Sequence, residues 1–443
     1  MPSARFTHLE KIRKQFDFKE ENGMKKVKFG VLGVGRGSSM IKFCETAENA
    51  EVVAICDKWE EGLRRKKEEL KDDRITYYTD FEKFIRHPGM DAVVLANYAT
   101  EHAPFAIRAM KNGLHVFSEV LPCQTLAEAV ELVETVESTG KIYAYGENYC
   151  FMPSPKEMRK LYREGKLGEL EYAEGEYVHN CESIWPQCTY GERDHWRNTM
   201  HTFFYCTHSI GPIIHITGLR PVRVTGFELP FNARSERMGR RCGIAGVEML
   251  TLENGAVVKS IHGDLIKNSI WYCLYGTKGR MESSREDAQN GCVLRLHTNF
   301  NPDADHTYPD DYQTYQPTDE LSKAAESYGH GAADYYTMYY FTRKILGDEN
   351  ADVIDVYEAM DMALPGILAY RSVLNGGIPM TVPDLRKKEE RDKYRNDRAC
   401  TSRSVAGDQW IPPYSKGEPD VPQENYDKIK AKWEEFLKNS EPS

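Results

Sequence analysis

From residue 27 onward the chain falls into short apolar runs separated by amphipathic or charged stretches. Residues 27–32 (VKFGVL) form an apolar run of strand length that meets Gly33-Val34-Gly35-Arg36-Gly37-Ser38 and then a helical pattern over 40–47. Strand-like runs follow at 52–56, 92–96, 114–117 and 142–145, alternating with helical patterns at 59–70, 102–112 and 125–139. Nearly all-apolar strands between helices are the signature of a sheet covered on both faces. The pattern therefore predicts a parallel, doubly wound α/β sheet. Beyond about residue 150 the rhythm changes: one helix (155–164) precedes runs at 170–178, 222–229, 247–252, 256–262 and 270–275 with alternating character. Glu253-Asn254-Gly255 between two of them signals a hairpin, so this half is expected to be α+β with an open, mainly antiparallel sheet. Residues 287–328, rich in Asp, Asn, Pro and Tyr, are expected to form a long excursion loop, and helical patterns return at 333–346, 353–374 and 426–437.

The junction after the first strand carries chemistry. Gly33 permits a tight turn, and Gly35 lets backbone approach a pyrophosphate held at a helix N-terminus. Arg36, Gly37 and Ser38 complete the loop, with Ser38 at the third fingerprint position. Asp57 ends the second strand, 24 residues after Gly33, where its carboxylate can accept from the adenine ribose hydroxyls and repel a 2′-phosphate. The expected cofactor is NAD rather than NADP. The expected division is a polar N-terminal extension (1–23), an NAD-binding Rossmann domain (24–150), a substrate-binding α+β domain (151–386) and a charged C-terminal wrap with a last helix (387–443).

Composition narrows the partners. The 443 residues carry 58 Lys+Arg against 68 Asp+Glu, a formal charge of −10 that argues against a nucleic-acid binder. No apolar run reaches membrane-spanning length, and the polar N-terminal segment leads to the expectation of a cytoplasmic protein. Eleven cysteines without a C-x-x-C pair read as reduced thiols. His201, His208 and His215 are spaced by seven and read as a helical stripe; nothing at metal-ligand spacing accompanies them, and no metal is expected. The 26 tyrosines exceed the 17 phenylalanines, a hint of polar, aromatic-lined surfaces such as sugar sites.

The glycine loop, residues 97–104 (NYATEHAP), 113–119 (GLHVFSE), 166–168 (KLG), 276–279 (GTKG) and 330–334 (HGAAD) together resemble the glucose-fructose oxidoreductase and inositol dehydrogenase-like (Gfo/Idh/MocA) family across 27–385. The resemblance implies a Rossmann domain followed by an open-sheet domain, with substrate bound beside the nicotinamide, and a homo-oligomer. Two proton-handling positions depart from that family. Glu-Lys-Pro becomes Glu119-Val120-Leu121-Pro122, and the aspartate four residues before His208 is Phe204.

Those replacements resemble family 109 of the glycoside hydrolases, the NAD-dependent N-acetylgalactosaminidases. Matching residues are Glu119-Val120, Glu147-Asn148-Tyr149-Cys150, Glu176-Tyr177-Val178-His179, Trp196-Arg197 and Tyr205-Cys206-Thr207-His208 with Gly211-Pro212. This implies glycoside cleavage by hydride removal at C3, proton loss at C2, departure of the aglycone, addition of water and return of the hydride to the sugar from a tightly bound, recycled NAD. On this reading Tyr177 and His208 transfer protons, and His179, Arg197, Tyr205, His330 and Tyr328 hold the sugar. Asn97, His102, Glu119, Val120 and Asn148 join the glycine loop and Asp57 around the cofactor. Tyr177 and His179 share one strand face, which is either the site or core. The alternatives are a net sugar oxidoreductase, such as a glycoside 3-dehydrogenase, and a catalytically silent sugar sensor.

Overall fold

The computed structural model describes residues 25–285, 292–298 and 311–439; the expected extension at 1–23 lies outside them. The first sheet has six strands in the order β3-β2-β1-β4-β5-β6, every neighbouring pair parallel: β1 (Val27–Leu32), β2 (Ala50–Cys56), β3 (Thr76–Tyr78), β4 (Ala92–Leu95), β5 (His115–Ser118) and β6 (Tyr143–Tyr145). Phe29, Val31 and the whole of β4 are fully buried, as strands covered on both faces must be. The covering helices include α1 (Ser38–Thr46), α2 (Glu60–Leu70), α3 (His102–Lys111) and α4 (Leu126–Thr139). Thr125 caps α4 by accepting from the Glu128 amide, and Gly140 ends it in the left-handed conformation. After β1 the chain builds outward through β2 and β3, then returns to β1's other side as β4. The carboxyl ends of β1 and β4 thus flank a topological switch point, where such folds bind ligands.

After α5 (Pro153–Arg163) the second sheet begins with β7 (Leu170–Val178). Past α6 (Thr207–Thr217) come β8 (Pro221–Glu228), β9 (Ala245–Leu252), β10 (Val257–Gly263), β11 (Ser269–Gly276) and β12 (Gly279–Ser283). The sheet has nine strands in the order β14-β13-β12-β11-β7-β10-β9-β8-β15, all antiparallel except the β10–β7 pair. Glu253-Asn254-Gly255 makes the expected β9–β10 hairpin, with Gly255 at φ +90°.

The expected excursion loop needs correction. Inside it, β13 (Leu294–Thr298) and β14 (Asp311–Tyr315) extend the sheet to its edge, while 286–291 and 299–310 lie outside the described residues. An edge strand with solvent on one side has no need of apolar residues, and β14 (DYQTY) is exposed at four of its five positions.

Two long helices, α7 (Ala333–Ile345) and α8 (Val356–Leu374), follow, then β15 (Met380–Thr381) and, near the C-terminus, α9 (Gln423–Asn439). One buried cluster runs from α3 and α4 through β6 to α6, α8 and the second sheet, so the two sheets share a core. Helix α6 lies against β7, β10 and β11. Its approach depends on Gly175 of β7, where a Cβ would collide with the Ser209 carbonyl.

Candidate active site

A cavity of about 270 Å³ opens where the switch point faces the second sheet, lined from both halves of the chain. Tyr177 near the end of β7 and His179 just past it come together, the Tyr177 Oη 3.2 Å from His179 Nδ1. His208, in the first turn of α6, stands with its ring 4.5 Å from those of Tyr177 and Tyr149. Tyr272 of β11 anchors that turn, donating to the His208 carbonyl at 2.6 Å. Behind His208, the fully buried Glu147 places Oε1 2.7 Å from His208 Nδ1. Tyr205 stacks on His208 at 5.8 Å and accepts from Arg197 Nη1 at 2.6 Å.

Burial sets the proton affinities. It pushes the Tyr177, Tyr149 and Tyr205 phenols up, Tyr177 well above the ordinary value. Burial, with His208 and His330 nearby, lowers His179 and favours its neutral form.

The cofactor end is built from the first sheet. Gly33 takes φ +100°, and a Cβ there would collide with the Ala96 carbonyl; nothing lies within 4 Å of where a Gly35 Cβ would project. Helix α1 begins after Gly37 with no side-chain cap, its Ser38 and Met40 amides meeting the Gly35 and Gly37 carbonyls at 3.2 and 3.1 Å. Ser38 Oγ donates to the Val34 carbonyl at 2.7 Å, while Asp57 at the end of β2 accepts from the Val34 and Trp59 amides at 2.8 and 2.9 Å. His102 Nδ1 must carry the proton it donates to the Leu121 carbonyl at 2.9 Å, so its buried Nε2 is left without a partner. Burial lowers its pKa to about 4. Asn97 Oδ1 and Asn148 Oδ1 are likewise buried and unpartnered. An open glycine turn, an uncapped helix and three orphaned polar atoms at the cavity suit a nicotinamide dinucleotide.

Arg36 does more than line the loop. It donates to both oxygens of Asp334 at 2.8 and 2.7 Å and reaches Glu119 at 2.7 Å. Asp334, at the start of α7, also accepts from Asn148 at 2.9 Å and meets His330 at 3.1 Å. Burial alone would raise its carboxyl; Arg36 and His330 instead hold it well below the usual range.

The cavity gathers twelve of the eighteen residues anticipated above: Tyr177, His179, Arg197, Tyr205, His208, His330, Arg36, Asn97, His102, Glu119, Val120 and Asn148. Gly33, Gly35, Gly37, Ser38 and Asp57 lie along the adjoining glycine turn and the end of β2. Tyr328 is elsewhere. Its hydroxyl meets Thr46 Oγ1 at 2.6 Å, Lys42 sits 4.6 Å over its ring, and it lines a different cleft, because the segment before α7 packs on the outer side of α1. The histidine stripe also divides: His201 precedes α6 and stacks on Tyr370 at 4.8 Å, while His215, two turns past His208, pairs with Glu358 at 2.7 Å. Among the described residues no cluster of three or more metal-ligating side chains occurs. Glu147, Tyr149 and Asp334 stood within the matched motifs but were given no role. A carboxylate two residues past a buried strand, at the carboxyl end of a parallel sheet, was the signal for Glu147.

A doubly wound sheet with this glycine turn, joined to an open sheet across a small polar cavity, defines an enzyme of the NAD-dependent oxidoreductase or glycoside hydrolase 109 kind. Residues 27–147 match the oxidoreductase family model with NAD-binding Rossmann fold (Gfo/Idh/MocA), and residues 267–391 match the C-terminal domain of glycosyl hydrolase 109. The chain thus joins a segment like the Gfo/Idh/MocA Rossmann fold to one like the family 109 C-terminal domain. It is 25% identical over 395 residues to a glycosyl hydrolase family 109 protein of Saccharopolyspora erythraea, covering 81% of this chain and 83% of that one. A Shewanella putrefaciens protein of the same name is 28% identical over 401 residues, 81% of this chain and 85% of that one. An inositol dehydrogenase homologue from Azotobacter vinelandii, solved with NAD+, shares the fold at a TM-score of 0.66 and 16% identity, covering 81% of this chain and 97% of that one. No helix among the described residues is long and apolar enough to cross a membrane.

Proposed function

We propose that the protein cleaves a glycosidic bond with no net oxidation, through transient oxidation at C3 of the sugar, elimination across C2 and C1, water addition and re-reduction. NAD, when bound, supplies the hydride acceptor and later the donor, and we propose that it stays bound through the cycle. The observation that carries the reading is the state of the cavity's carboxylates. Glu119 and Asp264 line it, and each is tied to a guanidinium, of Arg36 and Arg240 respectively. Neither is free to serve as the acid or nucleophile of a displacement glycosidase, which needs two available carboxyl groups. What the cavity offers instead is a cluster of tyrosine and histidine.

Tyr177 and His208 handle the protons at the C3 hydroxyl and at C2. A phenol held well above its ordinary value keeps its proton and can donate it, and His179 Nδ1 lies within hydrogen-bond reach of the Tyr177 hydroxyl and orients it. Glu147 orients His208 by binding its Nδ1. Arg197, Tyr205 and His330 hold the substrate, and Val120, where dehydrogenases of the family have lysine, leaves the C3 hydroxyl to this cluster.

The test is incubation of the purified protein with aryl glycosides in deuterated water without added cofactor. Aglycone release with deuterium at C2 of the sugar is expected. Release without C2 deuterium contradicts the proposal, and accumulation of NADH and a keto sugar on adding NAD assigns a net oxidoreductase instead.

A further inference from the structure

We infer that the sugar accepted here bears an anionic group, a carboxylate or sulfate, and that Arg197 recognises it. The inference rests on the glycoside reading above and concerns which glycoside. Charges along the cavity are matched with one exception. Arg36 is bound to Glu119 and Asp334, and Arg240 to Asp264. Arg197 has no carboxylate partner among the described residues; its one side-chain hydrogen bond goes to Tyr205 Oη, at 2.6 Å. Its surroundings are the Trp196 ring, with Cζ 4.4 Å from the centroid, and the thiols and apolar groups of Cys181, Cys188 and Met200.

A half-buried guanidinium among such groups is costly unless something supplies the opposite charge. Because Nη1 is engaged by Tyr205, the edge formed by Nε and Nη2 remains without a protein partner among the described residues. That edge presents two parallel N–H groups at the spacing of two oxygens on one carbon or sulfur. A sugar hydroxyl takes one of these donors and leaves the charge unmatched; an anionic substituent takes both and neutralises it. The cofactor's pyrophosphate is another source of anionic oxygen. Its cradle, though, is the turn at Gly33, Gly35 and Gly37, none of which lines the cavity that Arg197 lines.

The inference is tested by calorimetric binding of glucose, galactose and their 6-carboxylates and 6-sulfates to the NAD-loaded protein. At least one anionic form is expected to bind about 10- to 100-fold tighter than its neutral parent, and the form preferred identifies the group. Arg197→Gln removes that preference and Arg197→Lys keeps part of it, with NAD content, read by absorbance after denaturation, unchanged. Equal binding of all six sugars, or binding of none, overturns the inference, and the wild-type comparison alone decides this if the variants fail to fold. Loss of NAD from Arg197→Gln with the sugar preference intact also overturns it, assigning the guanidinium to the cofactor. Because the readout is equilibrium binding, it is independent of cleavage, whose failure shows separately as absent aglycone release.

Discussion

Glu147 reaches His208 across 61 residues of sequence, and that pairing sets the character of the site. A buried carboxylate against one ring nitrogen fixes the imidazole's orientation and leaves the other nitrogen to the cavity. Glu147→Gln keeps the shape and removes the charge. It is expected to lower turnover by about 100-fold while changing KM for the glycoside little, and unaltered turnover in steady-state assays contradicts the positioning role. Much of this site was legible in the sequence, because Tyr177 and His179, and Tyr205 and His208, sit in two short motifs that resemble family 109, and the resemblance rather than spacing puts the two motifs side by side. Glu147 was not, since its role depends on where α6 lands. Tyr328 was misplaced for a similar reason: nothing local distinguishes a tyrosine facing the cavity from one bonded to Thr46.

Helix α6 carries His208, and its distance from β7 is set by one hydrogen atom, the missing side chain of Gly175. Gly175→Ala forces the Ser209 carbonyl away and shifts the His208 turn from Tyr177. The expected outcome is a stability loss of about 1–3 kcal/mol with a marked fall in turnover. Gly226→Ala, which meets the Ala369 backbone of α8 instead, is the comparison. It is expected to cost similar stability but retain most activity in the folded fraction, as measured by thermal melts and rate assays. Equal retention in both variants contradicts the argument. At this scale the sequence was informative wherever an element is buried on one or both faces, since apolar periodicity is then enforced: β7 spans the same residues in pattern and structure. Strand β14 escaped because the sheet edge imposes no such pattern on it, whereas β12 and β13 are paired on both sides and do alternate, over only five residues each.

The whole molecule buries an unusual set of neutral histidines. Burial lowers His102 to about 4 and His195, His201 and His262 each to about 3, with Arg197 and Lys58 adding to it at His195 and Arg371 at His201. Below the ordinary histidine pKa the unfolded chain binds protons at these positions and the folded chain does not, so stability falls as pH drops from about 6.5 toward 4, by roughly 1.4 kcal/mol per pH unit for each group. His215 works in the opposite sense. Burial lowers it, but Glu358 and Asp352 outweigh that and raise its pKa, so its contribution is present below the ordinary value and fades as pH rises through the raised one. Glu128, Glu248 and Asp361, pushed up by burial to about 7, 8 and 6, act in the same sense as His215, so the histidine contribution is read by difference. His201→Phe, which keeps a ring against Tyr370, is expected to lose less melting temperature than the wild type between pH 6.5 and 4.5. Equal losses in the two proteins contradict the assignment of His201 as neutral.

The central claim is that hydride leaves the sugar and returns to it within one catalytic cycle. Its most direct test is an aryl glycoside deuterated at C3, turned over without added NAD. The account predicts a primary isotope effect on aglycone release and retention of the deuterium at C3 of the freed sugar. Aglycone release with no isotope effect, or a C3 ketone accumulating with deuterated NADH, contradicts it.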